Sequence, residues 1–151
     1  MLLEGTSAAD SNTNIWWNST DPAADNFTIG DGLAVNKSGS DYIAYLFASV
    51  DGVSKVGSYT GNGTSQTIDC GFSSGARFVL IKRTDSTANW IVYDSARGIV
   101  TGNDPFLYLN TTDAEDNTAD LIDPDSSGFI IDSYFADWNA SGGTYIFYAI
   151  A

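Results

Sequence analysis

The loop Asp132-Ser-Tyr134-Phe135-Ala-Asp137-Trp138-Asn139 collects the residue types that hold a sugar. A flat indole or phenol ring covers the apolar face of a pyranose, and carboxylate and amide oxygens beside it accept hydrogen bonds from the hydroxyls. Trp138 is the expected platform, Tyr134 a second one, and Asp137 and Asn139 the acceptors. The same rings could instead wedge the loop against a core, and the sequence leaves both readings open.

A second stretch, Asp123-Pro-Asp125-Ser-Ser127-Gly128, starts like a calcium loop, with oxygen ligands at alternate positions and glycine at the sixth. Tyr134 then stands where the closing bidentate glutamate belongs, so the expectation is a solvated turn and no metal. Other chemistries are poorly served. The chain has no histidine, which removes Ser-His-Asp and Cys-His nucleophile systems and His-ligated zinc. Its single cysteine, Cys70, lies beside Ile68 and Phe72 and reads as a buried structural thiol. Paired carboxylates could hydrolyse glycosides, but Glu4 and Glu115 lie in polar loops, and among the aspartates only Asp69 and Asp94, at strand ends, have apolar neighbours. Gly57-Ser-Tyr59-Thr-Gly61-Asn62-Gly63 lacks the lysine and following helix of a phosphate loop and reads as a turn. Arg97 is expected to pair with Asp94. No catalytic residue and no cofactor is expected.

Strands must position these loops. Arg77–Lys82, Trp90–Asp94 and Pro105–Asn110 are short apolar runs bounded by turn residues, and no stretch beyond about ten residues shows helical periodicity. Tyr145-Ile-Phe-Tyr-Ala-Ile-Ala151 alternates with period two, placing Ile146, Tyr148 and Ile150 on one face and Tyr145, Phe147 and Ala149 on the other. Both faces are apolar, so the strand should be covered on both sides. The chain carries this pattern earlier as well, in Tyr42-Ile-Ala-Tyr-Leu-Phe-Ala48. Asn36-Lys-Ser-Gly39 precedes the first copy and Asn139-Ala-Ser-Gly142 the second. Upstream, Asp21-Pro22, Phe27 and Ile29 echo Asp123-Pro124, Phe129 and Ile131. An internal repeat is written in these matches. Both copies are expected to be core strands. The fold class expected is all-β, a two-layer antiparallel sandwich of about eight or nine strands. Residues 1–151 should form one domain, the partial copy 1–48 packing onto the complete copy 49–151.

Nineteen acidic residues against six basic ones give a net charge of −13. Such a surface offers nothing to neutralise phosphates, so nucleic acid is not a partner. It repels itself in dilute salt and is relieved in concentrated salt. A saline habitat and a chain simply rich in aspartate turns are the two readings of that charge. Met1-Leu-Leu-Glu4 reads as neither leader nor membrane segment.

Taken together, Gly57 to Gly63, Gly71-Phe72, Phe78–Lys82, Trp90 with Asp94, Arg97-Gly98, Asn110-Thr-Thr112, Gly128-Phe129 and Asn139 through Ala151 resemble a domain near the C-terminal ends of tail-fibre and related virion proteins of marine bacteriophages. One departure is Gly71–Arg77, which lacks a proline soon after the phenylalanine. The resemblance implies a non-enzymatic virion surface domain, trimeric with copies of itself, associated with other virion proteins and touching a host glycan. It also implies release by host lysis, without an export signal. A purely structural shaft or decoration module and a glycan-degrading enzyme are the alternatives.

Overall fold

The structure, a computed structural model, describes residues 5–10, 13–132 and 135–151. The chain is mostly β, with eight strands in two antiparallel sheets and three helices of one turn each among the described residues. The all-β sandwich expected from the alternation is the fold observed. It divides into two compact units, one of residues 1–9 and 47–151 and one of residues 10–46. Residues 5–9 thus belong to the larger unit.

In the larger unit, strands β1 (Ser54–Thr60), β3 (Phe78–Arg83), β4 (Trp90–Asp94), β5 (Leu107–Tyr108) and β8 (Thr144–Ile150) form one sheet in the order β1-β8-β3-β4-β5. Strands β2 (Gln66–Asp69), β6 (Ile122–Asp125) and β7 (Gly128–Ile131) form the other, in the order β2-β7-β6. The C-terminal β8 lies between β1 and β3, with Tyr148 opposite Val56 on one side and Leu80 on the other. Every backbone group along it can thus find a partner, which is what a central strand requires.

The core lies between the sheets. Tyr145, Phe147 and Ala149 of β8, Val79 and Ile81 of β3, and Ile91 and Tyr93 of β4 face Ile68, Ile122, Phe129 and Ile131 of the other layer. Phe129 meets Phe147 edge to face across the layers at 5.5 Å. The alternation of β8 is as read, but its outer face is only half covered. There Phe47 and Phe78 flank Tyr148 at 4.7 and 6.3 Å. Cys70 is buried and free.

The first copy of the strand pattern departs from expectation. Residues 41–49 form no strand, and Ile43, Tyr45 and Leu46 are 81, 74 and 74% exposed. Among its described residues the smaller unit consists of α1 (Thr13–Trp17), α2 (Leu33–Asn36), turns and irregular chain. Gly30 and Gly32 donate to the carbonyls of Trp16 and Ile15. Among its described residues only Gly30 is buried. A unit this short cannot enclose a core of its own.

Candidate functional site

The short helix α3 (Ala136–Asn139) carries three of the four residues that sequence chemistry singled out; the fourth, Tyr134, lies outside the described residues. The helix is locked from below by Tyr145. Its hydroxyl accepts from the Ala140 amide at 2.9 Å and donates to the Ala136 carbonyl at 2.7 Å. Tyr59, stacked on Tyr145 at 4.8 Å, donates to the Trp138 carbonyl at 2.7 Å. Burial pushes both phenols above their ordinary range, so they stay neutral donors.

Trp138 is not a surface platform. Its indole is 6% exposed, donates its N–H to the Tyr93 hydroxyl, and meets Phe106 edge to face at 5.4 Å. No ring face is left for a sugar. Asn139 is likewise a core residue and not a free acceptor. Its Oδ1 accepts from the Asn62 amide at 2.9 Å and from Gln66 Nε2 at 2.6 Å. Its Nδ2 donates to Asn62 Oδ1 at 3.1 Å and to the Thr64 carbonyl. The Gly61-Asn62-Gly63 turn closes against this side chain, and a Cβ at Gly61 would stand 2.2 Å from the Ala140 carbonyl oxygen. Val35 stands at the position of the first copy that matches Trp138. The smaller unit has no enclosed core, so tolerance there says nothing about the complete copy.

Asp137 stays partly exposed, and Phe135 beside it is 47% exposed. Asp137 acts through charge on Lys82, whose buried ammonium donates to the carbonyls of Thr6 at 3.2 Å and Arg83 at 2.9 Å. Burial lowers the Lys82 pKa, and Asp137 offsets part of that.

The carboxylates group elsewhere than the aspartate-rich turn promised. Asp125 closes the β6–β7 hairpin, its Oδ1 accepting from the Ser127 amide and hydroxyl at 2.8 and 2.6 Å. Asp123 points away, and oxygens of Asp120, Asp123 and Asp132 lie within 4.8 Å of one another. Oxygen ligands of this kind suit a hard cation. Burial and the charges of Asp120, Asp132 and Asp104 raise the Asp123 pKa, and its Oδ1 is buried with no hydrogen-bond partner among the described residues. Sequence reasoning missed Asp120 and Asp132, because it sought one contiguous loop where the hairpin brings its two flanks together. Asp104, fully buried, accepts from the amides of Val100, Leu121 and Ile122 and pins the loop before β6. Arg97 pairs with Asp94, as expected, and with Glu115 at 3.0 Å. It lines an open groove of about 620 Å³ with Arg77 and Phe78. Both of its pairs are on the surface and worth little.

The two copies of the repeat share one piece of geometry. In the first, the Lys37 amide donates to the Tyr42 hydroxyl at 2.8 Å, and that hydroxyl donates to the Leu33 carbonyl at 3.0 Å. Tyr145 treats Ala140 and Ala136 in the same way. Gly39 and Gly142 turn the chain at φ 76° and 79°, a conformation that favours glycine. α2 and α3 are thus the same helix–turn–tyrosine unit built twice. The chain belongs to the DUF7483 family, a domain of unknown function, across residues 1–151. No characterised protein and no solved structure matches it. No helix among the described residues is long and apolar enough to cross a membrane.

Proposed function

We propose that this DUF7483 chain is a non-enzymatic module of a bacteriophage tail fibre or other virion surface structure, where it works by assembly. The observation that carries the reading is the helix–turn–tyrosine unit, present twice with matching hydrogen bonds. Its second copy closes a sandwich and its first leaves apolar side chains outside. In repeat architectures each module buries what its neighbour leaves open. A net charge of −13 adds solubility in salt water. A homotrimer is the assembly this reading implies.

Contact with a host-surface glycan is the second reading, and the exposed Phe135 ring beside Asp137 favours it. Antibodies against the chain should decorate the tails or surface of purified particles of the encoding phage. Label confined to the host-cell fraction would overturn the virion reading. Glycan-array binding lost in Phe135→Ala would support the receptor role, and an unchanged array would leave assembly alone.

A further inference from the structure

We infer that residues Tyr42–Ala48 are the closing strand of a second sheet, and that its occupant is the front part of another copy of this fold, the strands corresponding to β1 to β5. The inference rests on the repeat and stands whether or not the chain rides on a virion. Matching residues place the smaller unit in the β6-to-β8 part of the fold: Asp21-Pro22 for Asp123-Pro124, Phe27 and Ile29 for Phe129 and Ile131, and Tyr42–Ala48 for Tyr145–Ala151. The local geometry agrees, since Tyr42 braces α2 as Tyr145 braces α3.

What the smaller unit lacks is what the complete copy uses to cover its back half. β8 is flanked by β1 and β3. Asn139 is enclosed by the Gly61–Gly63 turn and Gln66, whereas Asn36 donates only to the nearby Gly30 carbonyl in the described structure. Ile43, Tyr45 and Leu46 are left in water, and no ladder pairs this segment, although at its end Phe47 rests on Tyr148 and the Ala48 carbonyl accepts from Ser54 Oγ. The chain holds one slot of the β1/β3 kind and two strands shaped for it. A second whole copy, which brings its own β8, therefore leaves the surplus unchanged. The fitting partner presents β1- to β5-like strands without a closing strand, and takes this one by strand addition.

The test uses the full chain with a protease site in the exposed Ser141–Gly142 turn. Ile43→Asp and Tyr45→Asp are included so that the tethered first copy cannot compete. After cleavage the protein is unfolded and refolded with a molar excess of a labelled Gly39–Ser49 peptide, with Gly142–Ala151 as the reference. The expected result is incorporation of Gly39–Ser49 with a cooperative transition, at an apparent affinity within about a hundredfold of the reference. The same peptide carrying Ile43→Asp and Tyr45→Asp should not enter. Incorporation of the reference alone overturns the inference. If neither peptide enters, the uncut chain carrying Phe147→Ala, Ala149→Leu and Ile150→Phe decides, because it writes the first copy into β8. Cooperative unfolding upholds the inference and aggregation refutes it. Sedimentation of the uncut wild type covers the remaining outcome, since a dimer broken by Ile43→Asp would make the occupant a second whole copy and overturn the proposal.

Discussion

The indole of Trp138 donates its N–H to the hydroxyl of Tyr93, joining the short helix α3 to strand β4 inside the core. Trp138→Ala therefore empties a core site. The expected loss is about 3–5 kcal/mol in chemical denaturation. Trp138→Phe should keep most of the packing and lose mainly the donor to Tyr93, about 1–3 kcal/mol. A near-unchanged midpoint in the alanine variant would return the ring to the surface.

Asn139 satisfies four polar groups on Asn62, Thr64 and Gln66 while fully buried. Asn139→Ala should cost about 1–3 kcal/mol, because the half-buried Gln66 and the exposed turn residues Asn62 and Thr64 lose the amide that ties them to the core. Asn139→Asp should be worse at neutral pH than at pH 4, since its charge would face the Thr64 carbonyl. Urea midpoints at both pH values check this.

Asp123 titrates above its ordinary 3.8 in the folded protein, through burial and neighbouring aspartates. Its favourable contribution is therefore complete below pH 3.8 and is lost as pH rises through the raised folded value. Asp123→Asn should raise the thermal midpoint at pH 7, by an amount that shrinks as pH falls toward 3.8. A midpoint that drops instead would mark the carboxylate as needed, as for a cation ligand. Asp85 behaves oppositely. The Arg83 side chain holds it down to about 2, so its contribution is present above 3.8 and lost as pH falls through about 2.

The Cys70 thiol is buried, and burial and Asp69 push its pKa up to about 11. Thiolate is the reactive form. Native protein at pH 8 should resist a thiol reagent, and labelling should rise with the unfolding transition in urea. Rapid labelling without denaturant would show that the β2 end opens locally.

Salt acts on the whole charge of −13. Raising sodium chloride from low to near-marine strength at fixed pH should raise the thermal midpoint by screening repulsion. A flat or falling midpoint would show that the acidic groups are too far apart to matter.

Much of the fold was legible because its signals are local. Alternation in Tyr145–Ala151 set which side chains share a face, and Phe78, Trp90 and their neighbours form strands where the β-rich runs lie. The glycine turns and the tyrosine brace of the repeat also follow from residues only a few positions apart. The site was less legible. Trp138 and Asn139 stand out in sequence for the same reason in either role, since a large ring and an amide serve a core network as well as a ligand. Only contacts with Tyr93 and Asn62, far along the chain, place them inside. The sequence by itself determined that Tyr42–Ala48 and Tyr145–Ala151 have the makings of one strand, because side-chain period is a property of the segment. The tertiary structure alone decided that the second is a strand and the first is not. A strand exists through hydrogen bonds to its neighbours, and β1 and β3 offer a single place, which β8 fills.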